Sequence, residues 1–195
     1  MKIFLIIGFA GLLLAAPVKS EAQSQAIFGD YIVYSSFGAP KLQMSMIDGN
    51  PAAYAGGQLG VMADQRLIVA VDADWLITSH RFQNEDESYR LSMGHGGIMM
   101  RFNFNPDDLL NYSATLTTGG GQVTASPDEG SDRSSGFFLL NPNAEVNLNL
   151  TNNFRTSLGV GYRLVAGTDL PVIDSSDLSA PVVSLTLKFG GYFGN

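Results

Sequence analysis

Residues 144–164 read AEVNLNLTNNFRTSLGVGYRL. Apolar side chains alternate with polar ones on both sides of the short sequence Thr151-Asn152-Asn153. A period of two is that of a β-strand, so this stretch predicts two strands joined by a tight turn. In a soluble sheet the apolar face would be buried, whereas in a membrane barrel it would face lipid and the polar face would line the interior. The rest of the sequence decides between these two arrangements.

Alternating runs of this kind fill the chain, and helical periodicity is almost absent. Eight strands are predicted, over 40–47, 52–62, 66–76, 89–104, 110–118, 137–150, 154–166 and 180–189. The short connections are 63–65, 105–109 and 151–153, and they define a turn rim. The opposite, loop rim has the long connections 77–88, 119–136 and 167–179, with one short link at 48–51. Short turns on one rim and long loops on the other are typical of bacterial outer-membrane barrels.

The N-terminus has the pattern of a secretory signal peptide. Lys2 precedes an apolar run over 3–16, which is too short to cross a membrane as a helix. Small residues at Ser20 and Ala22 fit a cleavage site after Ala22, with cleavage after Ala16 as the alternative. The chain is therefore predicted to be exported.

The predicted organisation is a signal peptide over 1–22, a segment of unassigned role over 23–39 and a β-barrel domain over 40–195. The run over 26–37 is strand-like, and it is compatible with an early part of the first strand, a periplasmic tether or a short plug. No cysteine occurs, so an exported chain of this size is held by its own packing or by a membrane.

Composition excludes several classes of function. The full chain has a formal net charge of −7, and no basic patch suggests nucleic-acid binding. The lack of cysteine and the two histidines argue against a zinc site, so neither a metal nor a cofactor is expected. The long loops are acidic, which favours solvated loops over divalent-cation bridging at a lipopolysaccharide surface. Gly119-Gly120-Gly121 is not a phosphate loop because no helix follows it.

The polar face of the predicted strands has charges of both signs. Because enclosed charges must be paired, balanced charge on this face indicates an interior rather than a solvated surface. The predicted lumenal charge network consists of Asp72, Asp74, Arg101, Glu145, Arg163 and Lys188. Lys41 and Arg155 share the same face and are predicted near the turn rim. His95 has the same parity as Arg101, which predicts that it packs inward as a polar residue.

A second test of which face is the interior comes from placing apolar residues opposite apolar residues across the short turns. Each of three hairpins then places a charged side chain opposite a small one: Glu145 with Gly159, Asp72 with Gly56, and Arg101 with Ser113. A narrow barrel interior needs this alternation, because one side chain fills the space that its neighbour leaves. A solvated face does not explain the glycines, since glycine weakens an exposed strand.

The last predicted strand, VSLTLKF over 183–189, alternates and ends in an aromatic residue, with six residues after it. Together with the signal peptide and the rhythm of turns and loops, it resembles the small eight-stranded outer-membrane barrels of Gram-negative bacteria, typified by the OmpA-type transmembrane domain. The resemblance covers about 40–189 and concerns architecture. It implies recognition of the final strand by the outer-membrane assembly machinery, and surroundings of outer-membrane lipid and lipopolysaccharide.

Aromatic residues fit belts at the two membrane interfaces. Phe104, Tyr112, Phe154 and Phe189 are predicted near the turn rim, and Trp75, Tyr162 and Phe137 near the loop rim.

The fold class predicted from these observations is all-β, an eight-stranded antiparallel up-and-down transmembrane β-barrel, present as a monomer in the outer membrane. Eight strands leave an interior just wide enough for side chains, so no open channel is expected. The predicted role is non-enzymatic, either structural or a loop-mediated interaction; the sequence identifies no ligand-binding residue.

Two alternative functions stay open. The first is a soluble periplasmic β-barrel or sandwich that binds an apolar ligand. The second is an outer-rim lipid-modifying enzyme, which would use Ser79, His80 and Glu85. Neighbouring residues of an extended chain point to opposite faces, so Ser79 and His80 are not expected to pair directly.

Overall fold

The computed structural model describes residues 34–63, 65–84, 87–127, 130–170 and 173–190. The predicted signal peptide and most of the segment 23–39 lie outside this range. The described chain forms nine strands: β1 Tyr34–Ile47, β2 Asn50–Ala63, β3 Leu67–Leu76, β4 His80–Asn84, β5 Glu87–Phe104, β6 Leu110–Pro127, β7 Arg133–Thr151, β8 Phe154–Ala166 and β9 Ala180–Gly190. One short helix, α1 Ser175–Leu178, precedes β9. It is far shorter than a membrane-spanning helix, and no other helix occurs in the described residues.

The sheet closes into a barrel. Consecutive strands pair antiparallel, except for β3 and β4, and β1 also pairs with β9, so that the first strand meets the last. Both β3 and β4 pair with β5, β3 along 94–102 and β4 along 87–91. Strand β4 thus continues β3 beyond a break at 77–79, and the closed barrel has eight strands.

The strands agree with the predicted ones in number and order, and several are longer. Strand β8 has the predicted bounds, whereas β1 begins at Tyr34, six residues before the predicted start. Strand β6 continues to Pro127 because Gly119-Gly120-Gly121, predicted as loop, pairs with His95-Gly96-Gly97 of β5. A Cβ at Gly97 or Gly119 would collide with the facing backbone, so this ladder requires glycine. Strand β4 and helix α1 were not predicted.

The turn between β1 and β2 is as short as a hairpin allows. Ile47 pairs with Asn50, and both turn residues have positive φ, 48° at Asp48 and 72° at Gly49. Positive φ at both positions defines a type I′ turn, which matches the twist of the flanking strands and favours Asp-Gly.

Burial alternates along the eight strands of the closed barrel, and the polar face is the interior. On β8, Val160 is 58% exposed, whereas Arg163 is fully buried. On β7, Asn147 is only 2% exposed. The large apolar side chains of the barrel wall mostly point outward, which is the arrangement of a membrane barrel and the reverse of a soluble one.

In the three hairpins these side chains lie on the predicted face, but two of the three predicted strand registers are wrong. Glu145 pairs with Gly159 as predicted, whereas Asp72 pairs with Gln58 and Arg101 with Thr115. Both errors are shifts of two residues. In both hairpins the centre of the turn lies one residue later in the chain than the predicted pairing placed it. A shift of two keeps every side chain on its own face, so inside and outside are unaffected.

The barrel interior contains two apolar clusters and a larger set of buried polar side chains. At the loop rim, an apolar cluster that we call the plug contains Ile47, Ala52, Tyr54, Leu91, Met93, Val123, Phe137, Leu139, Val165, Leu170, Ile173 and Leu178. At the turn rim, a smaller apolar cluster contains Phe37, Ala39, Met62, Ile68, Ala70 and Met99. Buried charged and amide side chains fill the rest of the interior, and some lie beside the turn-rim cluster, where Arg101 pairs with Ile68. The last three plug residues show that the connection before β9 folds back into the barrel.

Candidate functional site

Glu145 lies among these buried polar side chains. Its Oε1 accepts a hydrogen bond from Arg101 at 3.0 Å, and its Oε2 accepts one from Lys188 Nζ at 2.7 Å. Thr115 and Ser113 donate two longer hydrogen bonds to the same carboxylate. All three charged residues are buried, so each charge depends on these partners. The glycine opposite Glu145, on β8, leaves room for this cluster.

A second cluster surrounds Lys41. Its Nζ lies 2.7 Å from Asp72 Oδ2 and 2.8 Å from Asp74 Oδ2, and all three side chains are buried. His95 Nε2 lies 3.4 Å from Asp74 Oδ2, which confirms its predicted inward orientation. The prediction that Lys41 lies near the turn rim was wrong, because β1 begins earlier than expected and places it at mid-height. Its parity with Gln43 and Ser45 was the signal that it faces the lumen.

Gln58 joins the two clusters. Its Nε2 donates to Asp72 Oδ2 at 2.8 Å, and its Oε1 accepts from Arg101 at 2.9 Å. The amide can serve both because it has a donor and an acceptor on one planar group. Sequence reasoning did not single out this residue, since the predicted register placed glycine opposite Asp72.

Arg163 is not part of the ion-pair network, contrary to prediction. Its Nε donates a hydrogen bond to the backbone oxygen of Leu178 at 2.9 Å, and its Nη2 donates one to the backbone oxygen of Met46 at 3.2 Å. Its guanidinium carbon lies 4.8 Å from the ring centre of Tyr54. On β9, Arg163 pairs with Ala180, eight residues from Lys188, or roughly 26 Å along the strand. Strand stagger therefore separates Arg163 from Glu145 and places it under the plug.

Arg155 lies at the turn rim as predicted. It donates to Gln65 Oε1 at 3.0 Å and to the backbone oxygen of Pro106 at 3.3 Å, so it ties two turns together.

Of the residues proposed for lipid chemistry, Ser79 and His80 do not come together. His80 is buried, with Nδ1 3.3 Å from Thr78 Oγ1, whereas Ser79 is exposed. The third residue, Glu85, lies outside the described residues. Within the described ranges, no group of three or more acidic or histidine side chains could hold a metal ion.

The barrel is similar to solved outer-membrane proteins. The N-terminal β-barrel domain of Pseudomonas aeruginosa OprF matches with a TM-score of 0.56 and 11% identity, over 82% of this chain and 99% of that one. Neisserial surface protein A matches with a TM-score of 0.54 and 14% identity, over 84% and 100%. A major outer-membrane protein of Thermus thermophilus matches with a TM-score of 0.50 and 10% identity, over 80% and 98%.

The fold is that of the small eight-stranded outer-membrane β-barrels. No protein-family model matches the sequence, and no curated protein matches it. At these identities the likeness is one of fold, so function has to be argued from the residues of this chain.

Most of the aromatic side chains lie where an outer-membrane barrel needs them. Trp75 is exposed near the loop rim, and Phe154 stacks on Phe189 near the turn rim with ring centres 4.8 Å apart. Phe137 was predicted for the outer belt, but it is buried in the plug, and Phe138 is the exposed neighbour. A run of four apolar residues, 137–140, has no alternation that could have fixed its parity.

Proposed function

We propose that this protein is a non-conducting, non-enzymatic outer-membrane barrel that acts as a monomer, with a structural role or one carried by its loops and outer surface. The observation that carries the proposal is the filled lumen. An eight-stranded barrel has little space beyond its inward side chains, and here that space holds arginine, lysine and glutamate bonded across it.

The plug supports the same conclusion at the loop rim. Leu178 is fully buried, and the backbone N–H of Asp48 donates to the carbonyl of Asp177 at 2.9 Å. The connection before β9 is therefore held to the β1–β2 turn, which is next to β9 on the same rim. Water and ions would meet this apolar layer first and the bonded charges next.

Export and surroundings belong to the same proposal. The predicted signal peptide would direct the chain out of the cytoplasm, and β9, with alternating burial and a terminal Phe189, would be read by the outer-membrane assembly machinery. The exposed apolar side chains would then contact outer-membrane lipid, with lipopolysaccharide around the loop rim.

Conductance tests the closed lumen. The mature protein, refolded in detergent and shown to be folded by its heat-dependent migration in gels, is added to planar lipid bilayers in concentrated KCl. We expect no conductance steps under conditions where a large porin gives them. Regular steps from the folded wild-type protein would contradict the proposal.

A further inference from the structure

A groove of about 550 Å³ lies on the outer surface of the barrel, across β3, β5 and β6. Its floor contains Gly94, Gly96 and Gly120, and Trp75 forms one wall. These residues share the outward parity of the lipid-facing side chains next to them, such as Ile98. The groove is therefore a recess in the lipid-facing surface, and the inward-facing Met93 and His95 also contribute to its lining.

The backbone of the groove leaves no room for side chains on its floor. A Cβ at Gly96 would lie 2.8 Å from the backbone oxygen of Asp72, and one at Gly120 would lie 2.8 Å from that of Phe137. A Cβ at Gly94 would lie 3.0 Å from Trp75 Cδ1, so the indole rests against that glycine. One row toward the turn rim, Val71 and Ile98 fill the surface again.

Two arginines lie above the groove. Arg81 of β4 pairs directly with Arg90 of β5, and both are exposed on the outward face. Within the described residues, no carboxylate lies within salt-bridge distance of either guanidinium. Like charges directly opposite each other repel, so an external anion between them would be stabilising.

The heights of these features fit one leaflet of a membrane. Gly94 lies ten residues from Phe104 along β5, about 33 Å of strand, or roughly 25 Å across the membrane at the usual tilt. The groove thus reaches the edge of the apolar band, where Trp75 fits an interfacial position. Arg90 lies four residues beyond Gly94, about 13 Å farther along the strand, at headgroup level.

We propose that this surface binds a single anionic lipid of the outer leaflet, with an acyl chain in the groove and the phosphate between Arg81 and Arg90. The acyl chain is the occupant because the groove is continuous with the lipid-facing surface. The negative headgroup complements the paired arginines, which favours lipid over a second copy of the chain. The inference rests on the proposed membrane location.

Trp75 makes the site measurable, because it is the one tryptophan in the chain. The protein is reconstituted in phosphatidylcholine vesicles with a small, equal fraction of either phosphatidylglycerol or phosphatidylcholine carrying brominated acyl chains, and quenching of Trp75 fluorescence is compared. At equal mole fraction, we expect brominated phosphatidylglycerol to quench Trp75 fluorescence more strongly than brominated phosphatidylcholine. An arginine near a membrane surface contributes about fivefold to such attraction, so two should give about 25-fold selectivity.

Two variants separate the parts of the site. Arg81→Ala with Arg90→Ala should abolish the selectivity and leave quenching by brominated phosphatidylcholine unchanged, whereas Arg66→Ala at the opposite rim should preserve the selectivity. Ser92→Phe, which fills the groove from its outward-facing edge, should reduce quenching by both lipids while gel migration still shows a folded barrel.

Any other outcome contradicts a specific part of the proposal. Equal quenching by the two lipids in the wild type, or selectivity that survives loss of both arginines, would refute the headgroup site. Unchanged quenching in folded Ser92→Phe would refute the acyl groove. Absence of quenching by either lipid would show that Trp75 does not face the membrane, which would also overturn the proposed membrane location.

Discussion

At the scale of single residues, Glu145 is the most consequential side chain of the interior. It is bonded to Arg101 and Lys188, and removing it leaves two buried cations side by side. Breaking a buried ion pair by loss of one partner costs about 3–5 kcal/mol. Glu145→Ala should therefore lower the unfolding midpoint of the detergent-solubilised barrel clearly, as measured in denaturant by tryptophan fluorescence.

Double-mutant cycles provide the control for that prediction. Glu145 should couple to Arg101 and to Lys188 by more than about 1 kcal/mol, since contacting residues couple by roughly 0.5–3 kcal/mol. The cycle with Arg163 should give almost no coupling, because that side chain is bonded to Leu178 and Met46 instead. Coupling below about 0.5 kcal/mol in the first two cycles would mean that the charges are solvated, and the enclosed lumen would have to be abandoned.

An arginine introduced on the outer face should destabilise the barrel by an amount that depends on its depth in the membrane. Val160 and Ala166 lie on the same face of β8, six residues apart, with Ala166 at the loop rim. An outward arginine costs about 2–4 kcal/mol at the bilayer midplane and about 0–1 near the interface. In refolding into lipid vesicles, Val160→Arg should be much less stable than Ala166→Arg. Equal losses would contradict the assigned membrane position.

At the scale of elements, the connection before β9 behaves as a fixed part of the barrel. Ser179 Oγ accepts from the N–H of Val165 at 2.9 Å, and Arg163 donates to the carbonyl of Leu178. The acidic sequence of this connection suggested a solvated loop. The apolar residues Leu170, Ile173 and Leu178 were the signal that part of it folds inward.

The anchoring by Arg163 can be tested by proteolysis. Arg163→Ala removes two hydrogen bonds to backbone carbonyls, which should loosen the plug without opening the barrel wall. We expect faster cleavage within 167–179 in protein-containing vesicles, with heat-dependent gel migration retained. Arg133→Ala, an exposed position near the same rim, is the matched control and should leave the cleavage rate unchanged. Identical cleavage of the two variants would remove Arg163 from this anchoring role.

At the scale of the whole molecule, closure through β1 and β9 removes the sheet edges within the barrel, and the apolar belt then faces outward all round. A surface of this kind requires lipid or detergent. The mature protein should sediment with outer membranes, need detergent for extraction and migrate differently in gels before and after heating. Release by osmotic shock alone would favour the soluble periplasmic alternative.

The sequence by itself determined the eight strands of the closed barrel, their order and, outside the unalternating run 137–140, their inward and outward faces. These depend on a period of two within each strand, which is local, and an error of two residues in register, as at Asp72 and Arg101, does not change a face. The inward position of Lys41 could be predicted in the same way, from its parity alone.

Only the tertiary structure decided which charges meet. Partners across the lumen depend on the stagger of every strand around the closed barrel, so Lys41 and Gln58 join the network while Arg163 lies too high to reach it. The groove arises in the same way, because its glycines are on strands whose alignment only the ladder fixes. Sequence patterns record the environment of each side chain, whereas the identity of its neighbour is set by the closure of the whole sheet.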